Sequence, residues 1–342
     1  MFYIRADGNE QIGMGHIRRC MSIAEALLEA GEEVCFLIAD EHPAKILEEA
    51  GFRYEILFTY FDEMDVELPQ LVLKLSVPGA DGKAPRILVD SYYVTAFYLK
   101  NLMLQAQVFL LDDNAVKELP CHRLINYNIH AQSLGYAEKY PQAKLYLGPA
   151  YAPLRAEFGA DPVVIREQVR DILVTTGGAD HCHMELALAE AVIDQRLPEA
   201  TYHLVCGPFS TDGEALDALA KEHPQLQIHH HVTEMAPLMR SCDIAISAAG
   251  STLYELCALG LPTIGFCVAS NQHQNMEAFA KQTPIMNAGD FENAPGEVLN
   301  FIGKEVTLLM AEKELREKIA AAMRTIVDGQ GAKRLANALL TE

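Results

Sequence analysis

Phe2-Tyr3-Ile4 is a short apolar run, Gly13-Met14-Gly15-His16 follows it, and Ile17, Cys20, Met21, Ala24, Leu27 and Leu28 then recur at helical spacing until Gly31. A strand, a glycine-containing turn and an amphipathic helix in that order open a βαβ unit. The same rhythm continues through apolar runs at 34–39, 53–56, 86–89, 108–111 and 124–126. Continuous Val/Ile/Leu runs between helical segments are the mark of parallel strands covered on both faces. A second series at 171–175, 201–206, 226–230, 243–247 and 263–267 repeats it, so two doubly wound α/β domains are expected. The punctuation of Leu147-Gly148-Pro149-Ala150-Tyr151-Ala152-Pro153 puts the boundary there, giving a first domain of 1–150 and a second of 151–342. The tail from Pro295 reads as two or three helices, the last packing across the domain junction. The stretch 68–75 reads as helix, and Pro78-Gly79-Ala80-Asp81-Gly82 as a loop.

The chain has 342 residues, enough for two cores, and half of them are hydrophobic. Lys and Arg number 27 against 47 for Asp and Glu, a net charge of −20 that argues against nucleic acid or an anionic membrane as a partner. No apolar run approaches the roughly 20 residues of a membrane span, and no secretory segment precedes the first strand, so a cytoplasmic protein is expected. The eight cysteines include no C-x-x-C pair and read as buried, reduced thiols.

Ligands of open parallel sheets bind beyond the carboxyl ends of the strands, which directs attention to the polar residues that follow each apolar run. Gly13 and Gly15 leave room for a ligand against the backbone, but the turn lacks the third glycine of a dinucleotide fingerprint and any Walker lysine. His16 sits on the first helical turn, where the helix terminus favours a neutral imidazole. It serves either as a base or merely to satisfy the helix end. Asp7 either steers His16 through its other ring nitrogen or is an ordinary turn carboxylate. Of Arg18 and Arg19, one is expected to face a phosphate and the other solvent or an acidic neighbour.

Far down the chain, Ser247-Ala248-Ala249-Gly250-Ser251 follows an apolar strand and opens a helix, so its free N–H groups suit a diphosphate. Glu255, one turn on, can accept from ribose hydroxyls or simply face solvent. Gly177-Gly178 supplies a second close-approach turn, with Asp180 as a candidate N-cap. Asn271-Gln272-His273-Gln274-Asn275 either reads sugar hydroxyls and acetamido groups, through Asn271 and Gln274 above all, or starts a helix. His181-Cys182-His183 and His229-His230-His231 have no accompanying ligand cluster, so no metal is expected.

On Arg5-Ala6-Asp7 with the run from Gln11 to Arg19, on Asp90-Ser91-Tyr92, on Thr176-Gly177-Gly178-Ala179-Asp180, and on Ser247 to Ser251 with Glu255, the chain resembles a known group. These are the hydrolases of pseudaminic acid biosynthesis that act on UDP-2,4-diacetamido-2,4,6-trideoxy-β-L-altropyranose, with the related spore-coat polysaccharide proteins. The resemblance runs from the first strand to Asn271. It implies a GT-B architecture, two doubly wound Rossmann-like domains facing a cleft, as in the lipid-linked N-acetylglucosaminyltransferase of peptidoglycan synthesis. It implies UDP on the second domain, with Gly13, Gly15, Arg18, Gly177, Gly178, Ala249, Gly250, Ser251, Glu255, Asn271 and Gln274 as binding residues.

His16, with Asp7 and Tyr92, would activate water for inverting C–O cleavage, in a monomer whose partner is a UDP-sugar and which uses no cofactor. The chain departs from the family in carrying Ser91 where many of these hydrolases have His before the tyrosine. A GT-B glycosyltransferase with a UDP-sugar donor is the rival expectation.

Overall fold

A computed structural model describes residues 1–77, 82, 84–178, 180–207 and 209–341, with the backbone alone at residue 271. Residues 78–81 of the expected loop and Ala179 of the Thr176 to Asp180 turn lie outside the described residues. The chain divides into two units, Met1–Arg155 with Gln330–Glu342, and Ala156–Gly329.

The first unit runs β1 (Phe2–Ala6), α1 (Gly15–Glu29), β2 (Val34–Ile38), α2 (Ala44–Glu49), β3 (Tyr54–Ile56), α3 (Leu68–Leu75), β4 (Arg86–Asp90), α4 (Ala96–Met103), β5 (Gln107–Leu111), β6 (Arg123–Asn126), α5 (Tyr136–Lys139) and β7 (Lys144–Leu147). Its seven strands are ordered β3-β2-β1-β4-β5-β6-β7, and every pairing is parallel. Phe2, Ile4, Phe36, Leu88 and Phe109 turn to one core with Ile17, Cys20, Ala24 and Leu27 of α1. Leu37, Ile87, Val89, Val108 and Leu110 turn to the other with Leu71 and Leu75 of α3 and Leu99 of α4. Burial on both faces is why these strands carry no polar alternation.

The second unit runs β8 (Asp171–Thr175), α6 (Met184–Ile193), β9 (Thr201–Cys206), α7 (Gly213–Glu222), β10 (Leu226–His230), α8 (Met235–Ser241), β11 (Ile244–Ala248), α9 (Thr252–Leu259), β12 (Thr263–Cys267), α10 (His273–Gln282), β13 (Met286–Asp290), α11 (Pro295–Ala311) and α12 (Lys313–Ile326). Its six parallel strands are ordered β10-β9-β8-β11-β12-β13.

The last helix, α13 (Gly331–Leu340), belongs to the first unit, although a boundary at 150 assigns it to the second. Its Leu335, Ala336 and Leu339 join the core of Phe2, Ile17 and Leu27. The buried Arg123 guanidinium donates to the carbonyls of Ala338 and Thr341 and so caps the helix C-terminus from β6. Apolar spacing identifies such a helix but not which core it covers.

In both sheets the strand order reverses at one place, between β1 and β4 in the first and between β8 and β11 in the second. There, successive crossover connections leave in opposite directions and open a crevice beyond the strand ends. Those four ends carry His16 and Asp90 in the first unit, and the Gly177 and Gly250 turns in the second.

Candidate active site

The loop from β1 to α1 is shaped by Asn9, whose Oδ1 accepts from the N–H groups of Gln11 and Ile12 at 2.9 and 3.0 Å. Gly13 follows with φ of +71°, a conformation that side chains other than glycine's seldom adopt. Nothing lies within 4 Å of where a Cβ would stand on Gly13 or Gly15, so the space before both is open. Helix α1 begins without a side-chain cap, leaving its first N–H groups to whatever approaches.

His16 is nearly buried, with 7% of its side chain exposed, and its Nδ1 lies 2.7 Å from Oδ1 of Asp90 at the end of β4. Arg19, one turn further along α1, grips the same carboxylate, Nε to Oδ2 at 2.7 Å and Nη2 to Oδ1 at 2.6 Å. Its Nη1 donates to both oxygens of Asp113 at 2.9 Å, and its guanidinium lies over the Tyr127 ring. Tyr92 donates its hydroxyl to Asp113 at 2.9 Å and sets its ring edge-on to His16, with centroids 4.7 Å apart. Burial alone would raise the Asp90 carboxyl, but Arg19 and His16 outweigh it and hold the group well below the usual carboxylate range.

Two groups meet Nδ1, the Asp90 carboxylate, which only accepts, at 2.7 Å and Arg19 Nη2, which only donates, at 3.0 Å. Nη2 already gives a hydrogen to Asp90 Oδ1 at 2.6 Å, so the shorter carboxylate contact favours the His16 hydrogen on Nδ1. The other ring nitrogen, Nε2, is then the acceptor. What remains is an imidazole oriented by a carboxylate that Arg19 keeps ionised, an arrangement able to act as a base.

Asp7 does not take part. Its Oδ1 accepts from the Ala39 N–H at 2.8 Å and its Oδ2 from Arg5 at 2.5 Å, so the orienting carboxylate is Asp90 and the role expected of Asp7 is corrected. Arg5, fully buried, also holds Glu67 at 2.7 and 3.0 Å, and Tyr98 and Thr59 donate to Glu67 as well. Asp7 therefore belongs to a buried anchor for the loops above the sheet. Arg18 is exposed, and it is Arg19 that faces acidic neighbours.

In the second unit, Gly177 has φ of +93°, and the Gly178 carbonyl accepts from the Phe209 N–H at 3.0 Å. Gly207 approaches so closely that a Cβ there would stand 2.3 Å from the Gly177 carbonyl oxygen. Asp180 caps α6 from a distance, its Oδ2 accepting from the Glu185 N–H at 2.7 Å, while His183 holds the position before the helix.

The Ser247 to Ser251 turn opens α9, again without a side-chain cap. Gly250 has open space before it, Ser251 is exposed, and Glu255 lies in the first turn. Ala249 is set apart from them. It is buried, gives its N–H to Phe266 and accepts from Asn275 at 3.0 Å, so it has no backbone donor to offer a ligand, contrary to expectation. Of the amide-rich run, Asn275 braces this turn, Gln272 accepts from the Val268 N–H, and Gln274 is exposed. The side chain of Asn271 lies outside the described residues.

Among the described residues no group of three or more His, Cys, Asp or Glu side chains is placed to hold a metal ion. None of their helices is long and apolar enough to cross a membrane.

Residues 172–330 match the model of the glycosyltransferase family 28 C-terminal domain. The spore coat polysaccharide biosynthesis protein SpsG of Bacillus subtilis (strain 168) is 25% identical over 339 residues, 97% of this chain and 95% of its own. The UDP-2,4-diacetamido-2,4,6-trideoxy-beta-L-altropyranose hydrolase of Campylobacter jejuni subsp. jejuni serotype O:2 is 24% identical over 284 residues, 81% of this chain and 95% of its own. The crystal structure of Acinetobacter baumannii MurG aligns with a TM-score of 0.67 at 16% identity, over 99% of this chain and 98% of that one. The alignment shows a shared fold, two Rossmann-like α/β units of the GT-B type.

Proposed function

We propose that the protein is a UDP-sugar hydrolase that breaks the sugar C–O bond with inversion at the anomeric carbon. The observation that carries this reading is the His16–Asp90 pair, an imidazole whose Nδ1–H is held by a buried carboxylate at the switch point of the first sheet. Nε2 of His16 takes a proton from water as that water attacks the anomeric carbon opposite UDP. The electron pair of the C–O bond leaves with the diphosphate, and Asp90 stabilises the imidazolium. In this reading UDP is bound by the second unit, its phosphates beside Gly177, Gly178 and the open N-terminus of α9 and its ribose at Glu255. Tyr92 borders the imidazole and positions sugar or water.

Kinship with the altropyranose hydrolase of C. jejuni supports a UDP-linked 2,4-diacetamido-2,4,6-trideoxy sugar of pseudaminic acid biosynthesis as the substrate. The family 28 match favours a second reading, a glycosyltransferase that brings an acceptor hydroxyl where the hydrolase brings water. Incubation with UDP-linked diacetamido-trideoxy sugars, followed by NMR, separates the two. Free sugar of inverted configuration without added acceptor supports hydrolysis; turnover only when an acceptor is added rejects it.

A further inference from the structure

The turn at Thr176 and Gly177 rests on buried acid. Asp180 and Glu185 are 2% and 0% exposed. One oxygen of each is satisfied, since Thr176 Oγ1 donates to Glu185 Oε1 at 2.6 Å and the Glu185 N–H donates to Asp180 Oδ2 at 2.7 Å. The other two, Asp180 Oδ1 and Glu185 Oε2, are buried with no hydrogen-bond partner among the described residues. From the loop before α7, Asp212 adds a third carboxylate, paired with Nδ1 of His183 at 2.8 Å, and burial, with Glu185 and Asp212 adding to it, raises the thiol of Cys206 on β9. A buried carboxylate short of partners is costly to keep ionised, and a proton on one turns an orphan acceptor into a donor.

We propose that Glu185 is a proton acceptor linked to anion binding: a diphosphate settling at Gly177 and Gly178 draws a proton from solvent onto the Glu185 carboxylate. The inference rests on the donor-site reading above. Glu185 is bonded to Thr176, the residue next to Gly177, so the incoming charge lies close to an acidic cluster. Burial, with Asp180 and Asp212 adding to it against the Thr176 hydrogen bond, pushes Glu185 up to about 7, where such a disturbance changes its occupancy at physiological pH. The proton forms an O–H bond on Glu185 and removes one negative charge from beneath the turn.

Titration calorimetry of the full chain with UDP at pH 8, in Pipes, Hepes and Tris, tests this, because the dependence of the heat on buffer ionisation enthalpy counts protons. The wild type takes up close to one proton per UDP, and its affinity falls by about tenfold per pH unit above pH 7. Glu185→Gln, which keeps an acceptor for Thr176, loses that uptake and flattens the affinity profile between pH 7 and 8.5. Asp180→Asn, a second variant that removes only the neighbouring charge, takes up less than the wild type. UDP binding with no uptake, or with the same uptake in Glu185→Gln, overturns the proton link alone. Absence of UDP binding by the wild type overturns the donor-site reading and the link with it.

Discussion

Nδ1 of His16 and Oδ1 of Asp90 lie 2.7 Å apart although 74 positions separate them in sequence. They meet because β1 and β4 are hydrogen-bonded neighbours, with Ala6 opposite Asp90, so the loop after one strand descends beside the end of the other. Arg19 completes the arrangement from the next turn of α1. In the proposed mechanism the labour is divided: the imidazole exchanges the proton, the carboxylate orients the ring, and the guanidinium keeps the carboxylate charged.

His16→Ala therefore lowers turnover by about 100-fold or more while leaving UDP affinity close to that of the wild type. Asp90→Asn lowers it by at least about 100-fold as well, because an amide can donate to Nδ1 and move the ring hydrogen to Nε2. Steady-state kinetics with UDP titrations alongside check both. Unaltered kcat in Asp90→Asn would remove the carboxylate from the mechanism.

The pair also leaves a mark on acid stability. Asp90 is held below its unfolded range, so the native protein binds fewer protons than the unfolded chain. Its stabilisation is fully present above about pH 5 and is lost as pH falls through the unfolded carboxylate value near 3.9 toward the lower folded one. Melting temperatures between about pH 6 and 2.5 are expected to fall more steeply in the wild type than in Asp90→Asn. Parallel curves would contradict the assignment.

Ser251→Ala and Glu255→Gln act on the second unit. Each is expected to weaken UDP binding by about 3- to 30-fold, the range of one or two lost hydrogen bonds, with no change in the melting of the first unit. Calorimetry showing full affinity in both would move the nucleotide away from α9.

Gly207→Ala brings a methyl group against backbone rather than side chain, since its Cβ would meet the carbonyl oxygens of Gly177 and Gly178 at 2.3 and 2.7 Å. Relieving that contact displaces the turn and costs about 1–3 kcal/mol. Denaturant unfolding should show the loss, and UDP affinity should drop with it.

Arg5→Met leaves Asp7 and Glu67 buried without their cation, and removing one partner from such a cluster costs about 3–5 kcal/mol. The transition of the first unit should shift to lower denaturant while UDP binding is retained.

The doubly wound architecture and the place of His16 at the start of α1 are legible because local signals carry them: continuous apolar runs, a glycine turn and helical spacing. β7 and β13 were not read as strands. Lys144–Leu147 abuts Gly148 and Pro149 and merged with the linker, and Met286–Asp290 is an edge strand with no residue classed as buried. Closeness in sequence points to Asp7 as the orienting carboxylate, whereas spatial neighbours at strand ends are set by strand order. That Asp90 ends the strand beside β1 is a statement about pairing, which apolar runs do not encode. Arg19 and Asp113 became meaningful only with that pairing in place, and Ala249 shows the reverse, a residue in the right turn whose N–H is already spent on Phe266.

The return of α13 bears on how the molecule comes into being. A ribosome must translate the whole of Ala156–Gly329 before Leu335 and Leu339 exist to cover the apolar surface left by Phe2 and Ile17. The unit whose strands are synthesised first is thus the one completed last, and a nascent chain halted before Gly331 would carry an uncovered core.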